Sequence, residues 1–150
     1  MLDYLKISQV QFQADPSPIK NSIQLEKLFK KALKFKPDII CTPECSNIIT
    51  NDKKHLFKFA DYQKNCPVLK MCTKFAKKNN LFISIGSLLL KKNNNKKLLN
   101  RSFLINNKGD IQTYYDKIHM FDVKISKSEI YKESELFHSG NKIIITKIKN

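Results

Sequence analysis

The 150 residues match one ordinary domain in length, and 41% hydrophobic with 27% charged residues are globular proportions that exclude a disordered tail. The formal charge is +15, from 28 basic and 13 acidic residues, yet Arg101 is the sole arginine. Lysines scattered through every segment fit a coding bias toward Lys, Asn, Ile and Phe better than a surface that reads bases, which leans on arginine forks, so no specific nucleic-acid partner is expected.

Residues 2 to 13 read as a first strand with Leu5, Ile7, Val10 and Phe12 as apolar members, stopped by Asp15-Pro16-Ser17-Pro18. That cluster suits a helix start, since Asp or Ser caps and Pro tolerates the first turn. From Ile19, Ile23, Leu28, Ala32 and Phe35 recur at roughly helical spacing, joined by Leu25, Phe29 and Leu33, while five lysines supply a wet face. Packing onto a sheet, not lying on a membrane, is the expected fate of this helix. Pro37 closes it. Asp38 to Glu44 then reads as a buried central strand ending in Pro43-Glu44. The carboxyl end of such a strand is where open α/β folds place ligands.

Residues 45 to 64 read as an irregular polar connection carrying His55. A second helix starts near Asn65 and Pro67, buries Val68, Leu69, Cys72, Phe75 and Ala76, and closes at Asn79-Asn80. Leu81 to Leu90 is the next buried strand, and Lys91 to Lys97, with three central asparagines, a solvated hairpin tip. Leu98 to Asn106 and Ile111 to Lys117 read as strands joined by Asn106-Asn107-Lys108-Gly109. After Phe121 an irregular stretch carries Glu129, Glu133 and Glu135, and a last strand runs from Lys142 to Lys149. Without repeat or linker, βα alternation followed by hairpins argues an α/β sandwich.

Cys41, Cys45, Cys66 and Cys72 form no CxxC pair and fit no zinc spacing, so reduced thiols in a cytoplasmic protein are expected, with no metal and no cofactor. The N-terminus lacks a signal-peptide core, and Leu81 to Leu90 is too short to span a bilayer. No membrane partner is expected.

One stretch stands apart: Tyr114-Tyr115-Asp116-Lys117-Ile118-His119-Met120-Phe121-Asp122. Lys117 ends a strand on the face shared by Ile111, Thr113 and Tyr115 and precedes an apolar cluster, where an ammonium must snorkel or be held by carboxylates. Together with the strand ending in Pro43-Glu44, with Asn100-Arg101-Ser102-Phe103 before Lys108-Gly109, and with Lys132-Glu133-Ser134 and Ser139-Gly140, it resembles the nitrilase superfamily of carbon–nitrogen hydrolases. The likeness is to the branch of omega-amidases and deaminated-glutathione amidases.

The resemblance implies the N-terminal portion of a four-layer αββα sandwich and a Glu–Lys–Cys triad acting on a small linear amide. Carried over, Glu44 is the general base, Lys117 stabilises the oxyanion, and Glu133 is a second glutamate that positions Lys117 and substrate. His119 is expected to be structural. The family's nucleophilic cysteine follows the strand matched to Lys142–Lys149, and none of the four cysteines occupies that position. Residues 1–150 are therefore expected to be a truncated hydrolase domain lacking its C-terminal half, inactive and prone to self-association alone, and homo-oligomeric when complete. Two other readings stand beside this one: a non-catalytic interaction or scaffold module retaining half of the sandwich, and a weak basic nucleic-acid binder.

Overall fold

The structure, a computed structural model, describes residues 4–92, 96–126 and 129–148. Strand β1 (Ile7–Gln9) leads into helix α1 (Pro18–Ala32), strand β2 (Ile39–Thr42), helix α2 (Lys53–Phe59) and a two-residue strand β3 (Asp61–Tyr62). Helix α3 (Pro67–Asn79) follows, then the long strands β4 (Phe82–Lys91), β5 (Leu98–Ile105) and β6 (Ile111–Asp116). A small antiparallel pair, β7 (Asp122–Lys124) and β8 (Ile130–Lys132), and the single-turn helix α4 (Glu133–Leu136) come last.

The main sheet has the order β1-β2-β4-β5-β6, with β3 pairing beside β4. β1, β2 and β4 are parallel, joined by crossovers that carry α1 and α3, whereas β4, β5 and β6 form an antiparallel meander. Ser17 caps α1 with Pro18 in the first turn, and Asn80 ends α3 in the left-handed region at φ 51°. The two helices pack together on one face, where Phe29 meets Phe75 edge-on at 5.2 Å between ring centroids. Leu25, Phe29, Val68, Ile83, Ile85, Phe103 and Ile105 are the centre of that core.

Strand periodicity sends alternate residues of β4 and β5 to the opposite face. There Leu89 and Leu98 join Ile48, Leu56, Ala60 and Phe137 in a second, smaller core closed by α2 and the α4 turn. Asn100 shares the face of Leu98 and so lies on this second side.

Four sequence expectations need correction. The first strand is only Ile7–Gln9, because it pairs with β2 alone and β2 stops at Pro43, which has no N–H for the ladder; residues 1–3 lie outside the described ones. The supposed irregular connection at 45–64 holds α2, capped by the Asp52 carboxylate accepting from the Lys54 and His55 N–H groups, and also β3 and a 3₁₀ turn over Gln63–Asn65. The stretch after Phe121 is ordered as β7, β8 and α4. Residues 142–148 form no strand: the Gln112 amide donates to the Thr146 hydroxyl and the Lys147 carbonyl, a side-chain contact standing where ladder bonds were expected. Residue 149 and the asparagines at 93–95 lie outside the described residues.

Candidate active site

Glu44 leaves the carboxyl end of β2 in a turn held from several sides. The Ser46 hydroxyl donates to Thr42 Oγ1 at 2.8 Å and to the Pro43 carbonyl at 2.6 Å, and the Cys45 N–H donates to Ser87 Oγ at 2.9 Å. Gly86 lets β4 run against this turn, since a Cβ there would collide with the Thr42 and Pro43 carbonyl groups. Cys45 adopts φ 55°, a left-handed conformation uncommon for a residue with a side chain.

Lys117 follows β6. Its N–H donates to the Asn100 carbonyl at 2.9 Å and its own carbonyl accepts from the Gly140 N–H at 2.8 Å, so the backbone is clamped on both sides. Any side chain at Gly140 would meet the Asp116 carbonyl, which accounts for glycine at that point of Ser139-Gly140. Beside it, Arg101 forks onto Asp116 across β5 and β6, at 2.6 and 2.8 Å, and its guanidinium lies 3.9 Å from the Tyr114 ring centroid. The chain's sole arginine is spent on a strut.

Glu133 opens α4. Its Oε2 accepts from the Phe121 N–H at 2.6 Å, while its own N–H donates to the Phe121 carbonyl at 3.2 Å. The three candidate residues come together: Lys117 Nζ lies 3.1 Å from Glu44 Oε1 and 3.0 and 2.9 Å from the two oxygens of Glu133. Burial alone would push the Glu44 carboxyl up, but bonds from Asn100 and Lys117 and the Lys117 charge outweigh it and hold it below the ordinary 4.5. Burial likewise disfavours the Lys117 ammonium, and the bonds and charges of Glu133 and Glu44 reverse this, leaving it above 10.5. The resting site is one ammonium held by carboxylates on both sides.

The cleft above them has a volume of about 760 Å³ and is lined by Glu44, Cys45, Lys117, Glu133, Phe121, Ile130 and Tyr131, with Lys53, Lys132 and Glu135 among its charged groups. Two residues missed in the sequence reading belong to this place. Cys45 contributes a thiol to the cleft wall, but burial first and the Glu44 charge second push that thiol up to about 12, so it is a neutral S–H near pH 7. Asn100, 3% exposed, donates from Nδ2 to Glu44 Oε1 at 2.7 Å and to Glu133 Oε1 at 3.4 Å. Asn100 belongs to the Asn100-Arg101-Ser102-Phe103 stretch, and its place on a strand face with Leu98 is the signal in the sequence.

His119 is exposed, and His55 bonds the Pro16 carbonyl and stacks on Phe59. Among the described residues no group of three or more His, Cys, Asp or Glu could hold a metal ion, all four cysteines are free, and no helix is long and apolar enough to cross a membrane.

A carboxylate at the end of a buried parallel strand, paired with a lysine that follows an antiparallel one, places the cleft where α/β folds bind ligands. The model of the carbon–nitrogen hydrolase family matches residues 6–149, and the chain belongs to that family. It is 28% identical over 132 residues to a deaminated glutathione amidase of Dictyostelium discoideum, covering 83% of this chain and 45% of that protein. It is 26% identical over 138 residues to omega-amidase NIT2 of Xenopus tropicalis, covering 91% and 48%. Among solved structures, the Caenorhabditis elegans NitFhit protein superposes with a TM-score of 0.83 at 25% identity, over 93% of this chain and 34% of that one. Saccharomyces cerevisiae Nit3, at 20% identity, shares the fold with a TM-score of 0.75 over 92% and 49%. The chain thus spans about half the length, or less, of the relatives it matches.

Proposed function

We propose that this chain carries the base and oxyanion-binding part of an amide-hydrolysing site, whose nucleophilic thiol comes from the remaining half of the hydrolase domain, outside these 150 residues. The observation that carries the reading is Lys117 Nζ held within 3.1 Å of carboxylate oxygens from both Glu44 and Glu133, at the floor of an open cleft.

In this mechanism Glu44, ionised at neutral pH, takes the proton of an attacking thiol. Carbon–sulfur bond formation at the amide carbonyl puts negative charge on its oxygen, which the Lys117 ammonium stabilises. The proton held by Glu44 passes to the leaving nitrogen, the carbon–nitrogen bond breaks, and ammonia or an amine departs. Water activated by the same carboxylate then releases the acid and the thiol. Glu133 keeps Lys117 charged and aimed. Small linear amides are the proposed substrates, as the names of the relatives suggest. Cys45 does not serve as the nucleophile, because its environment opposes the thiolate.

Ammonia release from small amides by the complete domain tests this. Lys117→Ala should lower kcat by about 100-fold or more, as loss of an oxyanion donor does, and Glu44→Gln should abolish turnover. Residues 1–150 alone should release none. Turnover that survives Glu44→Gln, or a complete domain inert toward amides, overturns the reading.

A further inference from the structure

We propose that Asn100 is the positioning residue of this site: one carboxamide spans the two glutamates and holds both on Lys117. Three members of the cleft meet it at once. Its Nδ2 faces Glu44 Oε1 at 2.7 Å and Glu133 Oε1 at 3.4 Å, and its backbone carbonyl accepts the Lys117 N–H at 2.9 Å. The side chain is 3% exposed, so water does not take over its bonds.

The chemistry explains why an asparagine stands here. Two carboxylates converge on one ammonium, which brings their like charges together, and the Oε1 oxygen of each meets the same Asn100 Nδ2. A neutral group with two N–H bonds relieves that repulsion without adding a second cation that would compete with Lys117 for the substrate oxygen. Leu would leave Lys117 as the one donor to both Oε1 oxygens among the bonds described, and Asp would add a third carboxylate. Asn100 lies opposite Leu89 in the β4–β5 ladder, which fixes its height at the cleft floor. Glu44, by contrast, has a side chain 57% exposed and would sample solvent without this anchor.

Another buried asparagine serves as the contrast. Asn47 Nδ2 donates to the Leu89 carbonyl and its Oδ1 accepts from the Leu89 N–H, both at 2.8 Å, so it bonds backbone only and holds the fold.

The proposal rests on the reading of this cleft as a hydrolase site, but its first test needs no turnover. The chain has five glutamates, so carboxyl-¹³C-glutamate labelling yields five resonances, assigned by single Glu→Gln changes and readable in solution or by magic-angle spinning. In the unaltered chain the Glu44 resonance should titrate below the ordinary carboxyl range. Asn100→Leu should raise its midpoint by about one pH unit. Asn100→Asp, which keeps the shape should the leucine variant not fold, should raise it as well. Asn47→Leu should lower the melting temperature and leave the Glu44 midpoint in place.

An unmoved Glu44 midpoint in the Asn100 variants, or an equal shift in Asn47→Leu, overturns the proposal. In the complete domain Asn100→Leu should cost about 100-fold in kcat with KM little changed, the signature of misaligned groups. A KM effect alone overturns the positioning role. Failure of the amide reading itself would show as an inert complete domain with the titration results intact.

Discussion

On the side of the sheet covered by α1 and α3, Leu25 and Phe29 are fully buried and Phe103 is 2% exposed; beyond the β6 edge, Ile143 and Ile145 are 85% and 93% exposed. The second side closes only locally, where Ile48, Leu89, Leu98 and Phe137 meet beneath the cleft. One layer of helices completes the first core within these residues. The other side carries polar groups and small residues such as Ser84 and Ser102, while Ile143 and Ile145, beyond the β6 edge, are uncovered among the described residues. Burial is concentrated on the helix side, and the candidate site lies on the other. A cleft needs a place where packing is incomplete, and the second side supplies one.

The largest test of the contrast is a pair of truncations. Phe29→Ala should cost about 3–5 kcal/mol, because a fully buried ring leaves a cavity. Ile145→Ala should stay within about 0.5 kcal/mol. Urea unfolding of both variants decides it, and a large cost for Ile145→Ala would mean that the β6 edge is covered in solution. Next in size is the thiol of the cleft. With Cys45 pushed up to about 12, its alkylation by iodoacetamide at pH 7.5 should run about 100-fold slower than a free cysteine's. Glu44→Gln, by removing a charge that opposes the thiolate, should speed it; peptide mass mapping reads both.

A smaller effect concerns pH. Glu44 is depressed on folding, so its contribution to stability is present above its unfolded value and lost as pH falls through the folded one. Lys117 is raised, so its contribution is present below its unfolded value and lost as pH rises through the folded one. Melting temperature should therefore be flat across neutral pH with respect to this pair, falling below about pH 4 and above about pH 10.5. Glu44→Gln should shrink the acid limb by less than about 1 kcal/mol, since the carboxylate is half in solvent. An unchanged acid limb would place the stabilising charge elsewhere. The smallest expected change is in association. Expressed alone, the 150 residues should sediment as oligomers or aggregate, and Ile143→Lys with Ile145→Lys should shift them toward monomer. A parent that sediments as a monomer would break the contrast between the two sides.

Much of this was legible in the residues themselves. Pro16, Pro18, Pro37 and Pro67 punctuate the helices, and the apolar runs at 39–42 and 82–90 announce buried strands; that Glu44, Lys117 and Glu133 share one cleft was implied by the family resemblance alone. Periodicity and turn chemistry are local, so one sequence carries them. The same locality misled at both ends: residues 142–148 alternate like a strand but lack a ladder partner among the described residues, and α2 is too short for its period to stand out. Strand formation depends on a neighbour, which no local pattern supplies.

Composition and pattern thus determined that this is an α/β chain with a carboxylate at a buried strand end and a lysine after an antiparallel hairpin. Only the tertiary structure decided that Asn100 touches both glutamates, that Cys45 shares their cleft as a neutral thiol, and that Arg101 braces Asp116 instead of meeting a ligand. Each depends on strand register across sequence separations as long as the 73 residues between Glu44 and Lys117. A one-residue slip of β5 would turn Asn100 to the helix side and dissolve the cluster.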